Sequence, residues 1–144
     1  MMRRIRRFAA LLLVPAAACE PDPLVPIARD VEVTASLASP ETYVIAFEVR
    51  NEGRRTVYAA ACDDRIIAAV QPRDVWDDDD SSVFSVVCFG TAMPVPVAIA
   101  PGATARGQAQ APSPGEYRIG VLIRDAETSR NQWAAFSRGV VVPQ

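Results

Sequence analysis

Clustered carboxylates are the side chains in this sequence best placed to do chemistry. Four aspartates, Asp77, Asp78, Asp79 and Asp80, follow Trp76 without a break, and Asp63 and Asp64 form a second acidic pair. Calcium takes about six to eight oxygen ligands, but neighbouring carboxylates in an extended segment point to opposite sides and cannot all reach one ion. We therefore interpret the aspartate run as a solvated loop and predict no metal site and no cofactor.

Acid–base chemistry has few other side chains available. The chain contains no histidine and no lysine, so all 15 basic residues are arginine. Histidine is the commonest general base near neutral pH, and lysine is needed for Schiff bases. A pair of carboxylates alone would need a cleft that holds them about 5 to 10 Å apart around a sugar, which a small domain hardly offers. The sequence therefore predicts a protein that is not an enzyme.

Cys19 stands at the end of an N-terminal segment with the layout of a secretory signal. Four arginines precede the apolar run Phe8–Ala18, whose 11 residues fall short of the roughly 20 that span a bilayer as a helix. The residues Ala16–Cys19 resemble a lipobox, with Ala16 in place of the usual leucine. We expect cleavage before Cys19 and lipid attachment to it. The alternative is an ordinary signal cut after an A-x-A pattern, with Cys19 incidental.

This interpretation divides the chain into a signal peptide (1–18), a lipidated tether (19–28) and one domain (29–144). Four arginines leave with the signal, so the mature charge is 11 − 17 = −6. An acidic surface disfavours nucleic acid and anionic lipid. We expect a location in the cell envelope, on its periplasmic or extracellular face, with the membrane as a partner through the lipid anchor.

Cys62 and Cys88 are the remaining two cysteines. In an exported protein an even remainder of two predicts one disulfide, although two buried free thiols stay possible. Their spacing is unlike the C-x-x-C of a redox-active pair. Closing a loop of about 26 residues should stabilise the fold by roughly 3 to 4 kcal/mol.

Apolar and polar residues alternate with a period of two over most of the mature chain, which indicates β-strands. Turn residues separate the runs, and Pro94 and Pro96 should prevent regular pairing just before Ile99. The predicted strands are 29–38, 42–50, 55–62, 65–71, 83–89, 103–111, 115–124 and 132–142. In the strand 115–124 we expect Tyr117, Ile119, Val121 and Ile123 on the apolar face, with Arg118 and Arg124 on the wet one.

Seven or eight short strands with no helical period predict an all-β fold, an immunoglobulin-like antiparallel β-sandwich. Tyr117 follows a Pro-Gly turn at the start of the penultimate strand. That position suits a tyrosine corner, in which the hydroxyl group bonds to upstream backbone.

The runs YVIAFEVRNEGRRTVYAA and IAPGATARGQAQAPSPGEYRIGVLI carry a family resemblance. Their strand, Asn turn, Pro-Gly and Pro-Gly-x-Tyr pattern is similar to that of bacterial immunoglobulin-like modules, in particular intracellular proteinase inhibitor (BsuPI-like) domains. The resemblance covers about residues 29–142. It implies the sandwich fold and an inhibitor of an exported protease as one function. The lipobox and the cysteine pair depart from that family, and no reactive-site residue carries over.

The favoured function is a membrane-tethered, non-enzymatic binding or accessory module of the envelope, with a protein or glycan as partner. Functional loops on rigid sandwiches are long and free of core packing, and the segment 63–82 fits that description. The predicted partner-binding loop places Trp76 as an aromatic anchor, with the acidic residues Asp63, Asp64, Asp77, Asp78, Asp79 and Asp80 as its polar rim. Trp133 is expected in the core.

Overall fold

A computed structural model describes residues 27–76 and 88–144. The signal peptide, the lipidated Cys19 and the aspartates Asp77–Asp80 therefore lie outside the described residues. Strands dominate the rest, with 3₁₀ turns at Ile27–Asp30 and Arg73–Val75. The strands are β1 (Val31–Ser39), β2 (Val44–Asn51), β3 (Val57–Ala59), β4 (Ala61–Cys62), β5 (Arg65–Ile66), β6 (Ala68–Pro72), β7 (Val97–Ile99), β8 (Thr104–Gln110), β9 (Gly115–Arg124), β10 (Gln132–Phe136) and β11 (Val140–Val142).

Two antiparallel sheets form the predicted immunoglobulin-like sandwich. The first sheet has the order β1-β2-β8. In the second, β9 pairs with β10 and then β11 along one side, and with β3 and β6 along the other. Strand β7 pairs with β3 and therefore belongs to the second sheet. In an immunoglobulin constant domain the corresponding strand is the fourth strand of the first sheet. The short hairpin β4–β5 projects between β3 and β6.

Alternating side chains of β1 and β2 supply the first sheet's half of the core. Ile45, Phe47 and Val49 are buried, and the opposing face of β1 and β2 carries Glu32, Thr34 and Glu48. Phe47 lies over Gly107 of β8, where an added Cβ would come within 2.2 Å of its ring. A side chain at this position would displace the phenylalanine, so the glycine is a requirement of core packing.

Strand β9 departs from the expected alternation. Tyr117, Ile119, Val121 and Ile123 belong to the core as predicted. Arg118, predicted on the wet face, is only 4% exposed, and Leu122 on the same face is buried as well. The outer face of the second sheet is therefore covered along this strand, and the prediction of a wet face at Arg118 was wrong.

The tyrosine corner is present. The hydroxyl group of Tyr117 donates a hydrogen bond of 3.0 Å to the backbone oxygen of Ser113, four residues upstream. The side-chain hydroxyl group of Ser113 lies 3.1 Å from the Tyr117 hydroxyl oxygen. This contact pins the turn Pro112–Gly115 to the start of β9.

The last predicted strand is interrupted. Between β10 and β11 the hydroxyl group of Ser137 accepts the Ile119 N–H, a place that a backbone oxygen would take in a regular ladder. Trp133 pairs with Ile123 of β9, and Phe136 pairs with Gly120. Because successive side chains of a strand point to opposite faces, Trp133 and Phe136 lie on different faces of the sheet. Trp133 is half-buried and outside the core cluster, contrary to expectation.

Two further strand predictions need correction. The run 65–71 divides into β5 and β6, because the Ile67 N–H bonds to the Ala60 oxygen at the base of the hairpin. Cys88 and Phe89 lie in no strand, while the rest of the predicted strand 83–89 falls outside the described residues.

Asn51 joins the two sheets at one end of the sandwich. Its side chain is fully buried, and its Nδ2 donates to the backbone oxygens of Arg55 (2.7 Å) and Ile99 (2.8 Å). Its Oδ1 accepts the Gly53 N–H at 3.0 Å. One amide group therefore ties the turn after β2 to the end of β7.

We expect Asn51→Ala to lower the free energy of unfolding by about 2 to 4 kcal/mol, because it leaves the buried oxygen of Ile99 without this donor. Urea denaturation followed by tryptophan fluorescence measures it. The exposed neighbour Glu52 supplies a control, since Glu52→Ala should change stability by less than about 0.5 kcal/mol. Equal effects of the two substitutions would contradict the proposed role.

Candidate binding surface

The disulfide between Cys62 and Cys88 is formed, as predicted, with a Cα–Cα distance of 5.7 Å. It connects β4, in the projecting hairpin, to the start of the irregular segment 88–96. That segment lies outside both sheets, so the covalent bond fixes one of its ends to the hairpin.

Asp63 and Asp64 form the two-residue turn of the β4–β5 hairpin. Both have positive φ angles, 48° and 64°, as a type I′ turn requires. Aspartate tolerates this conformation better than most residues do, because its short polar side chain can bond locally. The acidic pair therefore first serves to reverse the chain.

Asp63 also holds the segment 88–96 in place. Its Oδ1 accepts the Met93 N–H at 2.9 Å, and its own N–H donates to the Met93 oxygen at 3.1 Å. The carboxylate is thus engaged inside the domain, whereas Asp64 is exposed at the tip of the hairpin. Of the two residues, Asp64 has the carboxylate better placed to meet a partner.

The segment 88–96 presents large apolar side chains to solvent. Phe89 is 85% exposed, Met93 61% and Val95 45%. Within the segment, the Ala92 N–H donates to the Phe89 oxygen and the Val95 N–H to the Met93 oxygen. The disulfide and Asp63 hold the backbone, so these side chains stay at the surface. Sequence reasoning left Phe89 out of the predicted partner-binding loop because it placed this residue in a strand. The nearby prolines were the signal that pairing had ended.

Trp76 is held against the outer face of the second sheet. Its indole Nε1 donates to the Gln71 oxygen at 3.0 Å, and the guanidinium group of Arg73 lies 4.3 Å from the ring centroid. Arg118 lies over the same ring at 5.4 Å and over Phe136 at 3.9 Å, and its Nε donates to Gln71 Oε1. Such cation–π contacts stabilise each pair by about 0.5 to 2 kcal/mol. Trp76 therefore stabilises this face of the domain and is half-buried.

The cluster around Trp76 extends to the start of β11. Arg73 forms an ion pair of 3.2 Å with Glu116, and an added Cβ at Gly139 would come within 2.6 Å of Glu116 Oε1 and 2.9 Å of the indole. The tryptophan is packed on its own chain from several sides.

The described residues of the predicted partner-binding loop lie in two separate places. Trp76 follows the end of β6, where Pro72 pairs with Tyr117 of β9. The hairpin leaves the sheet near the other end of β9, where the Ala60 N–H donates to the Leu122 oxygen. These positions on β9 are 122 − 117 = 5 residues apart, or about 17 Å. The structure brings Asp63 together with Met93, and it does not bring the turn Asp63–Asp64 to Trp76.

A shallow cavity of about 870 Å³ opens on the outer face of the first sheet. Its floor carries short side chains such as Thr34, Ser36 and Ala46, and Asp64 and Arg65 of the hairpin line it as well. Glu48 Oε1 accepts a hydrogen bond of 2.7 Å from Arg106 Nε at one side. The charges of Glu48 and Arg106 at this side of the cavity are therefore paired with each other within the first sheet.

Neither metal-ligand clusters nor membrane spans occur in the described ranges. Residues 27–76 and 88–144 contain no group of three or more histidine, cysteine, aspartate or glutamate side chains that is arranged to hold an ion. No helix within these ranges is long and apolar enough to cross a membrane.

Comparison with known proteins adds little. No protein-family model matches the chain. No curated protein matches it either. Among solved structures, it is similar to the ASH/PapD-like domain of human CEP192 (PapD-like domain 7), with 13% identity over 87% of this chain and 92% of that one, and a TM-score of 0.39. So loose a superposition supports no conclusion, and the sandwich follows from the strand pairing described above.

Substitutions at Asp63 separate its two roles. Asp63→Asn keeps an acceptor for the Met93 N–H and tolerates positive φ, so stability should stay within about 0.5 kcal/mol. Asp63→Gly loses only the hydrogen bond and should cost about 0.5 to 1.5 kcal/mol. Asp63→Ala loses the bond and also strains the turn, adding about 1 to 2 kcal/mol. Chemical denaturation gives the order, and an alanine variant as stable as the asparagine variant would refute both roles.

Proposed function

We propose that this chain is a membrane-tethered, non-enzymatic binding module of the bacterial cell envelope. The observation that carries the proposal is the disulfide between Cys62 and Cys88, which belongs with an oxidising compartment outside the cytoplasm. The arginine-rich leader and the small-residue stretch that ends at Cys19 support the same location.

The lipid at Cys19 would fix the domain to a membrane surface. Burying acyl chains contributes about 0.8 kcal/mol per methylene group, so two or three chains suffice for stable attachment. The domain then stands next to the membrane on the short tether 19–28 and meets other envelope components at its surface.

The binding surface that we propose consists of Phe89, Met93 and Val95 together with Asp64 on the adjacent hairpin. Exposed apolar side chains that lie close together on a soluble domain commonly mark contact sites. A rigid backbone lowers the entropy lost when such a surface is covered. Here the disulfide and the Asp63 hydrogen bonds supply that rigidity. In this proposal Trp76 has a structural role. The aspartates Asp77–Asp80 are candidates for the acidic border of the binding surface.

We expect Cys19→Ala to abolish lipid labelling and to release the protein from membranes or leave the precursor uncut. Labelling with a radioactive fatty acid and fractionation of membranes measure both effects. The double variant Cys62→Ser with Cys88→Ser is the control, because it removes the disulfide and leaves the lipidation site intact. Unchanged labelling and membrane partition in Cys19→Ala would overturn the tether.

Binding can be tested by photo-crosslinking in intact cells. A photoreactive residue placed at Phe89 should give a discrete adduct, and Met93→Asp in the same chain should reduce its yield at least fivefold by introducing a charge into the contact. Val141, 68% exposed on β11, is the matched control position and should give no such adduct. Equal adducts from both positions, or none from Phe89, would count against this surface.

Protease inhibition is the second candidate, favoured by one observation. Met93 lies exposed on a segment that a disulfide and two hydrogen bonds to Asp63 hold in place, which is how a rigid inhibitory loop is built. The two functions differ in the identity of the crosslinked partner. An exported protease whose activity is lost in one-to-one complex with the domain would favour inhibition.

A further inference from the structure

Strand β7 is the last strand on one side of the second sheet, and the segment before it continues along the hairpin. Ala59 of β3 pairs with Val97 of β7. In the same register Asp63 falls opposite Met93, where two hydrogen bonds join the two residues. The segment 93–99 therefore lies along β3 and β4 and forms one edge of the sheet.

The direction of each backbone group at this edge follows from the neighbouring hydrogen bonds. The Ala60 N–H donates to the Leu122 oxygen of β9, whereas the Asp63 N–H donates to the Met93 oxygen. Because successive residues of a strand direct these groups to opposite sides, the odd-numbered residues of β3 and β4 bond to the segment 93–99, through its own odd-numbered residues. The residues of the segment whose backbone groups face outward are Pro94, Pro96 and Ala98.

The Met93 oxygen gives an independent assignment for Pro94. This oxygen accepts the Asp63 N–H, so it points toward β4. In a planar trans peptide the following nitrogen points the opposite way, and the described residues contain no cis peptide bond. The Pro94 nitrogen therefore faces outward, although the Val95 N–H also bonds to the Met93 oxygen and makes the ladder irregular at this point.

Both prolines therefore remove a donor from the outer side of the edge and none from the inner side, since proline has no N–H. The loss of pairing that the sequence predicts at these residues falls on the outer side. If two copies were placed antiparallel about Pro96, each would bring three outward residues to the contact. The prolines leave one N–H group per copy, that of Ala98.

No charge protects this edge, although charged side chains are another common protection of exposed strands. The residues from Phe89 to Ala103 include no charged side chain. Pro94 and Ala98 are exposed, and no other strand in the described ranges pairs with the outer side of β7. The β-branched residues of the segment, which favour strand pairing, are Val95, Val97 and Ile99.

We propose that Pro94 and Pro96 guard this edge. They prevent a second copy of this chain from adding its own segment 93–99 through backbone hydrogen bonds. An apolar, uncharged segment can then stay at the surface of the domain without acting as a template for self-association. The inference does not depend on lipidation or on the proposed function.

Restoring the two donors tests the proposal. In sedimentation equilibrium of the full chain in density-matched detergent, Pro94→Thr with Pro96→Thr should strengthen self-association at least about tenfold, because each restored N–H group counts twice in a symmetric pair. The control is Pro112→Thr with Pro114→Thr, two prolines of the same spacing and similar exposure in a turn. It should change self-association less than about twofold. Equal effects of the two double variants overturn the proposal.

Ala98→Pro, added to the first double variant, locates the contact. It removes the third outward N–H group and should reverse most of the gain. A gain that survives this change arises at another surface and overturns the proposal. Should the double variant lose its strand signal in circular dichroism, Pro94→Thr alone, at the exposed position, carries the test with an expected gain of about threefold or more.

Proline substitutions in the unmodified chain check the assigned directions. Ala98→Pro should lower the urea midpoint by less than about 0.3 M, because its N–H group faces outward, whereas Val97→Pro loses a bond to β3 and should lower it by about 1 M or more. The reverse order would mean that the prolines face β3 and β4, and the proposal would fall.

Discussion

Strand β9 is hydrogen-bonded along both sides and buried on both faces, so the charged group that it carries at Arg118 needs partners inside the protein. A buried charge is costly unless it is hydrogen-bonded. Gln71 accepts from this guanidinium group, and Trp76 and Phe136 lie on its faces. These partners come from β6, from the turn that follows it and from the end of β10. All three elements are therefore positioned to surround the buried Arg118 side chain.

Much of the sandwich could be predicted from the sequence, because alternation is a local property. The strand 115–124 has the predicted bounds, and the tyrosine corner formed where a Pro-Gly turn precedes Tyr117. Asn51 was predicted only as a turn residue. Its two bonds to backbone oxygens depend on Ile99, 48 residues away, which no local pattern reveals.

The candidate surface was predicted less well, for the same reason. Asp63 was placed in an acidic rim, yet its carboxylate accepts a bond from Met93, 30 residues further along the chain. Trp76 was interpreted as a free anchor, because alternation did not predict the burial of Arg118, one of the two arginines whose guanidinium groups lie over its ring. The Ser137 hydroxyl group breaks a ladder that its neighbours would have continued. In each case a side chain competes with the local pattern through a distant contact.

The β4–β5 hairpin is equivalent to an insertion of seven residues into a single strand that would otherwise run from β3 to β6. From Ala59 to Ala68 the chain advances nine positions while its partners on β9 move two, from Ile123 to Val121, a surplus of 9 − 2 = 7. Ala60 still bonds to Leu122, so joining Ala60 directly to Ala68 would leave one uninterrupted strand in unchanged register. The strand pairing on β9 is complete without those seven residues, although one of them, Ile66, packs into the core. The cysteine, the turn aspartates and the segment that they hold are thus an insertion into one strand, whose length and chemistry can vary as long as an apolar side chain fills the place of Ile66 in the core.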